Sequence, residues 1–287
     1  MRKSLITTAV LGALAAPSFV FAADAAPAPD LTVAYNIGLY SQYIFRGMTQ
    51  TGGKPALQGG VDLTHSSGFY LGAWASNISW LRDPYGEGNT NSSTAYYKKD
   101  GHLELDIYGG YRYTFANGVG IDVGALRYQY EGKRMPGMVD ANTTEVYGAI
   151  NYGWLQAKIS DVITESAWGW GKSKGADPTY NSASGTYYAE LNATIPVSDL
   201  IGAKDGFTSG ITGIAHIARQ EFNGKSNEPA SYTDYKLGLQ KSFSEGALNG
   251  VNVGGYWTYA NGRNGAWTYD RENIGDSTGT VFVSKVF

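Results

Sequence analysis

Three histidines bound the acid–base chemistry open to this chain. His65 stands beside Ser66 and Ser67, His102 lies two and four residues before Glu104 and Asp106, and His216 is the third. A hydrolase of the Ser/His/acid kind would have to use one of them. Neighbours in sequence do not make that geometry, however, and the His65 group falls in a turn. His102, Glu104 and Asp106 are of types that bind zinc, yet three spaced polar residues on one wet strand face need no metal. The acidic pair Glu104 and Asp106, and Asp234 beside Lys236, are of types that cleave glycosides, but a solvated interior explains them more simply. Gly52-Gly53 and Gly59-Gly60 lack the strand-to-helix setting of a phosphate loop and read as turn and close-packing positions. No catalytic residue, metal ligand or cofactor is assigned, and the chain is expected not to be an enzyme.

The elements that carry these residues show a period of two. From Leu31 to Phe45 the odd positions are Leu31, Val33, Tyr35, Ile37, Leu39, Ser41, Tyr43 and Phe45, while the even ones up to Arg46 are mostly polar or small. Such alternation marks a strand with one apolar face. In His102 to Phe115, Leu103, Leu105, Ile107, Tyr111, Tyr113 and Phe115 oppose His102, Glu104, Asp106, Tyr108, Arg112 and Thr114. So many ionisable groups on one face argue against a dry soluble core behind it.

About twelve strands follow from this pattern, near residues 31–46, 55–65, 68–80, 102–115, 119–130, 143–152, 154–163, 186–197, 207–219, 232–243, 250–260 and 278–287. The phase is least clear in the third, fifth, seventh and ninth. Each is near the ~9 to 11 residues that a tilted strand needs to cross a bilayer. Short turns at Ser66–Gly68, Ala116–Gly118 and near Gly153, with somewhat longer ones at Ser198–Gly206 and Ser244–Asn249, alternate with long polar segments at 81–101, 131–142, 164–185, 220–231 and 261–277. Strands joined by short turns on one side and long loops on the other form an outer-membrane barrel. The expected fold is therefore all-β: a closed antiparallel up-and-down transmembrane β-barrel over residues 31–287.

Arg2 and Lys3 precede the apolar run Leu5 to Ala16 and small residues up to Ala22, the organisation of a secretory signal peptide over residues 1–22. A short periplasmic segment over 23–30 would join it to the barrel. There is no cysteine, so burial and backbone pairing must supply stability. The net charge of −3 and pI near 5.6 argue against nucleic acid as a partner. Aromatic residues near strand ends, among them Tyr43, Phe45, Phe69, Trp80, Tyr113, Phe115 and Trp257, suit the girdles at membrane interfaces.

With even positions inward in the clear strands, the expected pore lining is Arg46, Asp62, Glu104, Asp106, Arg112, Glu190, Asp234 and Lys236, with Asp122, Glu145 and Lys158 as further members. Arg46 would sit near the outer end of strand one, facing the lumen. Opposed charges there would either set a transverse field for small polar solutes or pair across the interior and plug it.

Residues Ser41-Gln42-Tyr43-Ile44-Phe45-Arg46-Gly47, Pro55-Ala56-Leu57-Gln58-Gly59-Gly60, Ser67-Gly68-Phe69-Tyr70, Gly72, Trp74, Ser76 and Asn77 carry a resemblance to the bacterial TorF family of porin-like proteins, long of unknown function. It implies an outer-membrane barrel with a channel role. The expected function is passive diffusion of small hydrophilic solutes, with outer-membrane lipid and the barrel assembly machinery as partners. The alternatives are a lipase- or protease-like barrel enzyme and a structural or adhesion barrel with a plugged lumen.

Overall fold

A computed structural model describes residues 30–89, 91, 94–98, 100–203 and 206–287. The expected leader over 1–22, and all of 23–30 except Asp30, lie outside them. In chain order the strands begin with β1 (Leu31–Tyr40), the short pair β2 (Ile44–Phe45) and β3 (Met48–Thr49), β4 (Ala56–His65) and β5 (Phe69–Asn77). There follow β6 (Leu103–Thr114), β7 (Val119–Tyr130), β8 (Thr143–Tyr152) and β9 (Leu155–Val162). After a second short pair, β10 (Ser166–Ala167) and β11 (Trp170–Gly171), come β12 (Tyr187–Ile195), β13 (Ile211–Glu221), β14 (Tyr232–Ser242) and β15 (Val251–Ala260). The third short pair is β16 (Thr268–Tyr269) and β17 (Glu272–Asn273), and β18 (Thr278–Val286) ends the barrel.

Twelve long strands close in the order β1-β18-β15-β14-β13-β12-β9-β8-β7-β6-β5-β4, every neighbour antiparallel and β4 returning to β1. Closure leaves no free strand edge, which is what allows a sheet to satisfy its backbone inside hydrocarbon. The seam runs from Asn36↔Val286 to Tyr40↔Phe282 and is extended by Phe287 N–H donating to Tyr35 O at 2.9 Å. The boundaries expected at 119–130 and 143–152 coincide with β7 and β8.

The exterior is apolar. Leu39, Leu71, Ile107, Val123, Ile150, Ile159, Leu191, Ile217, Leu237 and Val281 are all exposed, and each stands outward on its strand. Water would not tolerate so continuous a surface on a monomer, whereas a bilayer requires it. Among the described residues no helix is long and apolar enough to cross a membrane, so strands form the whole spanning surface. Phe69, Tyr113, Phe115 and Trp257 are exposed near strand ends, as an interfacial girdle requires. Tyr43, Phe45 and Trp80 correct the expectation: they are 1%, 7% and 4% exposed and lie inside the barrel.

Leu237, mid-strand in β14 and 57% exposed, gives a first test. Leu237→Arg should lower unfolding free energy in lipid vesicles by about 2 to 4 kcal/mol, the cost of a cation on the lipid face near the midplane. Unchanged resistance to urea would show that this surface does not meet lipid.

The first strand is the main departure from expectation. It ends at Tyr40, not near Arg46, because residues 41–55 leave the wall and turn into the barrel. The start of β1, the end of β18 and the shorter connections lie at one end, called here the turn end. The opposite, loop end carries six long connections, three of which contain a short two-stranded hairpin.

Candidate functional site

The β2–β3 hairpin is built for a reversal in two residues. Arg46 and Gly47 have φ of +46° and +78°, the paired left-handed conformation of a type I′ turn, whose twist matches the flanking strands. Glycine adopts it freely, but an arginine there costs roughly 1 to 2 kcal/mol. The contacts of the side chain offset that strain. Arg46 Nη1 and Nη2 donate to Glu145 Oε1 and Oε2 at 2.9 and 2.8 Å, and Nη1 also reaches Gln220 Oε1 at 2.9 Å. The guanidinium carbon lies 4.1 Å from the Tyr188 ring centre and 5.0 Å from those of Phe45 and Trp168.

These partners fix where the hairpin goes. It leaves the wall between β1 and β4, while Glu145, Tyr188 and Gln220 belong to β8, β12 and β13, on the far side of the barrel order. The tip therefore crosses the whole lumen. On the way, Gln42 Nε2 donates to Thr278 Oγ1 at 2.8 Å and Tyr43 hydroxyl donates to Glu104 Oε1 at 2.6 Å. At the base, the Gln50 amide donates to Tyr43 O and the Thr49 amide to Ile274 O, both at 2.8 Å. Gly47 is pressed against β14 and β15: a Cβ there would stand 2.6 Å from Asp234 Cβ and 2.9 Å from Ala260 Cβ.

The second hairpin repeats the device. Trp168 and Gly169 take φ of +47° and +85°, and Trp168 lies tilted against Phe45 at 5.6 Å and edge-on to Tyr128 at 5.5 Å. Phe222, Tyr232 and Trp267 extend the same cluster. The loop end is thus sealed by interlocking aromatic rings around Arg46. Further out, burial pushes the hydroxyl of Tyr85 up to about 12, and burial with the Asp140 charge does the same to Tyr97. These phenols stay neutral across the physiological range.

Below the hairpin the lumen is lined by half-buried polar groups. Asp62 accepts from Tyr108 hydroxyl at 2.5 Å. Arg112 lies 3.9 Å from Asp122 and the same distance from the Tyr70 ring centre. Tyr70 hydroxyl donates to Asp122 at 2.6 Å and contacts Tyr147 hydroxyl. Glycines opposite these rings make room for them: a Cβ on Gly110 would stand 2.6 Å from Tyr70 Oη, and one on Gly124 would stand 2.6 Å from Tyr147 Oη. Lys236 Nζ lies 5.0 Å from the Tyr256 ring centre.

His216 ties the two levels together. Its Nδ1 pairs with Asn192 Oδ1 at 2.6 Å, and its Nε2 lies 3.0 Å from both Asp234 Oδ1 and Tyr188 hydroxyl. Tyr188, whose ring carries Arg46, donates to Asp234 Oδ2 at 2.9 Å. Asn192 Nδ2 donates to Glu190 Oε2 at 2.8 Å, and Lys158 Nζ lies 3.8 Å from Glu190 Oε1. Both ring nitrogens of His216 are engaged in holding side chains rather than activating a hydroxyl. His65 Nδ1 bonds Ser67 Oγ at 2.7 Å in an exposed turn.

All eight residues expected to line the lumen project inward, but not in one way. Asp62, Arg112, Glu190 and Lys236 are partly buried. Glu104, Asp106 and Asp234 are buried at 0%, 3% and 2% exposure, under or beside the hairpin. Arg46 is on no barrel strand at all. His102, Glu104 and Asp106, weighed above only as zinc-binding types, are not brought together: His102 is exposed while Glu104 and Asp106 are buried, and among the described residues no group of three or more acidic or histidine side chains is placed to hold a metal ion. Gln220, Tyr188 and His216 carry weight that the sequence did not assign them. For His216 and Gln220 the inward phase of β13 is the signal, blurred by its small residues, and for Tyr188 it is the even face of β12.

A family described as "Bacterial protein of unknown function (Gcw_chp)" matches residues 24–287. Among curated proteins none matches the sequence. Among solved structures, the KdgM porin is similar at 8% identity and a TM-score of 0.45, over 89% of this chain and 98% of that one. The KdgM porin in complex with disordered oligogalacturonate gives the same values. OccK5 (OpdH) of Pseudomonas aeruginosa is similar at 12% identity and a TM-score of 0.39, over 90% of this chain and 67% of that one.

Proposed function

Because this chain belongs to the Gcw_chp family of bacterial proteins of unknown function, its activity has to be argued from its own geometry, and we propose a gated outer-membrane channel for small hydrophilic solutes. The observation that carries this reading is the hairpin itself. It crosses the lumen to Glu145 and shuts the loop end, while the rest of the interior keeps a charged lining of partly buried side chains. A barrel made only for strength would need no such lining, since packed side chains would fill it. The turn end faces the periplasm and the loop end the cell exterior in this reading. The likeness to TorF-type porins at residues 41–77 supports the same role, and barrel assembly machinery would insert the chain.

Asp62, Arg112, Glu190 and Lys236 would set charge selectivity in the inner vestibule. Solute passage requires only that the tip leave its far-wall seat; the Gln42 and Gln50 bonds at its base can persist as a hinge. In planar bilayers the native protein should show discrete but infrequent conductance steps. A second reading, a barrel held permanently shut, is favoured by the burial of the Arg46–Glu145 pair. Folded, inserted native protein and Arg46→Ala both remaining silent would select that second reading.

A further inference from the structure

Beneath the hairpin, the wall of β6 to β8 carries more carboxyl groups than the chain's own cations pair: Arg46 reaches Glu145, and no ion pair forms at Glu104 or Asp106 among the described residues. Glu104 and Asp106 are neighbours on the inward face of β6, Asp106 is paired in register with Tyr128 of β7, and Tyr128 hydroxyl donates to Glu145 of β8 at 3.0 Å. Three buried carboxylates thus share one patch. Arg46 satisfies Glu145 alone. Asp106 Oδ1 and Glu104 Oε2, on residues 3% and 0% exposed, have no hydrogen-bond partner.

A buried carboxylate without a donor is compensated by a cation or loses its charge. The chain itself shows which cation this wall accepts. Arg46 is a tethered guanidinium, held bidentate by a carboxylate and stacked on aromatic rings, the arrangement that favours planar organic cations. The patch offers the same chemistry one step away: Tyr43 bonds the other Glu104 oxygen, Trp74 and Tyr128 are paired in register with Asp106, and Tyr130 with Glu104.

We propose that Glu104, Asp106 and Glu145 form a binding site for small organic cations bearing guanidinium or ammonium groups, which compete with Arg46 for Glu145 and so release the hairpin. The inference rests on the channel reading above and names the solute class for it. The ligand enters from the vestibule, fills the unpartnered acceptors of Glu104 and Asp106, and takes over one Glu145 oxygen. Arg46 then loses its bidentate seat.

Planar-bilayer recording tests this with native protein, Arg46→Ala, and Arg46→Ala carrying Glu104→Gln and Asp106→Asn. Folding of each is checked by the heat-dependent gel mobility of a closed barrel. Millimolar guanidinium chloride should raise the open probability of the native protein several-fold, with methylammonium doing so less and urea not at all. Under a potassium chloride gradient the Arg46→Ala reversal potential should shift toward the potassium equilibrium value, and the triple variant should lose that shift. Conductance that ignores guanidinium, or a reversal potential unmoved by the two amide substitutions, overturns the cation site and leaves the channel reading standing. Silence from all three proteins overturns the channel reading instead. Tryptophan emission titrated with guanidinium chloride against sodium chloride then decides the site alone, since Trp168 packs on Arg46; no guanidinium-specific change overturns it.

Discussion

Arg46→Ala should turn an infrequently conducting barrel into one that is open much of the time. The substitution strands Glu145, 1% exposed, without the guanidinium that binds both its oxygens. Removing one partner of a buried ion pair costs about 3 to 5 kcal/mol, mostly the penalty on the charge left behind. The shut state bears that cost, because an open lumen lets water reach Glu145. At about 1.4 kcal/mol per decade, the shut-to-open ratio should fall by roughly two to three and a half decades. The left-handed backbone at position 46 adds nothing to keep the tip seated once its contacts are gone. Single-channel open probability is the measurement. Arg46→Lys should fall between native and alanine, since an ammonium keeps the charge but loses the two-pronged bond and the ring stacking. Equal open probability in native and Arg46→Ala would show that the ion pair does not hold the gate.

Gly47→Val reaches the same gate with no change of charge. The residue takes φ of +78°, costly for a β-branched side chain. Its first carbon would meet Asp234 Cβ at 2.6 Å and Ala260 Cβ at 2.9 Å, and both atoms belong to barrel strands that cannot retreat without disturbing the sheet. Backbone strain of this kind costs about 1 to 3 kcal/mol, and overpacking adds about 1 to 3 kcal/mol more. The tip should be expelled while the twelve-strand wall is untouched. Open probability should rise to the level of Arg46→Ala, with gel mobility and urea resistance of the barrel preserved. A variant that stays shut would mean that the hairpin shifts as a unit within the lumen. Both variants together should add little to either alone, since each removes the same seated state.

The resemblance at Ser41 to Asn77 reached the right architecture but could not say what the pattern at its centre does. The run from Leu31 to Phe45 keeps one period of two without a break, so it reads as one long strand. Nothing local signals that the wall ends at Tyr40, because the hairpin strands β2 and β3 are extended as well. Phe45-Arg46-Gly47-Met48 is the local clue. Its glycine permits the positive φ that the second position of a two-residue turn requires, and Trp168-Gly169 repeats the residue pair in the loop between β9 and β12.

The sequence by itself determined the wall of this protein. Strand number, the apolar outer face and the alternation of turns with loops all follow from a period-two pattern, which is a local property that each strand carries in its own residues. The inward placement of Asp62, Glu104, Asp106, Arg112, Glu190, Asp234 and Lys236 follows from the same parity. Only the tertiary structure decided what fills the wall. Arg46 finds Glu145 across 99 positions and Gln220 across 174, and those pairs exist because closing twelve strands brings β8 and β13 opposite the paired strands β1 and β4, whose connection carries the hairpin. Barrel closure is a global condition on all strands at once, so no window of sequence short enough to show a strand can show what lies across the lumen from it.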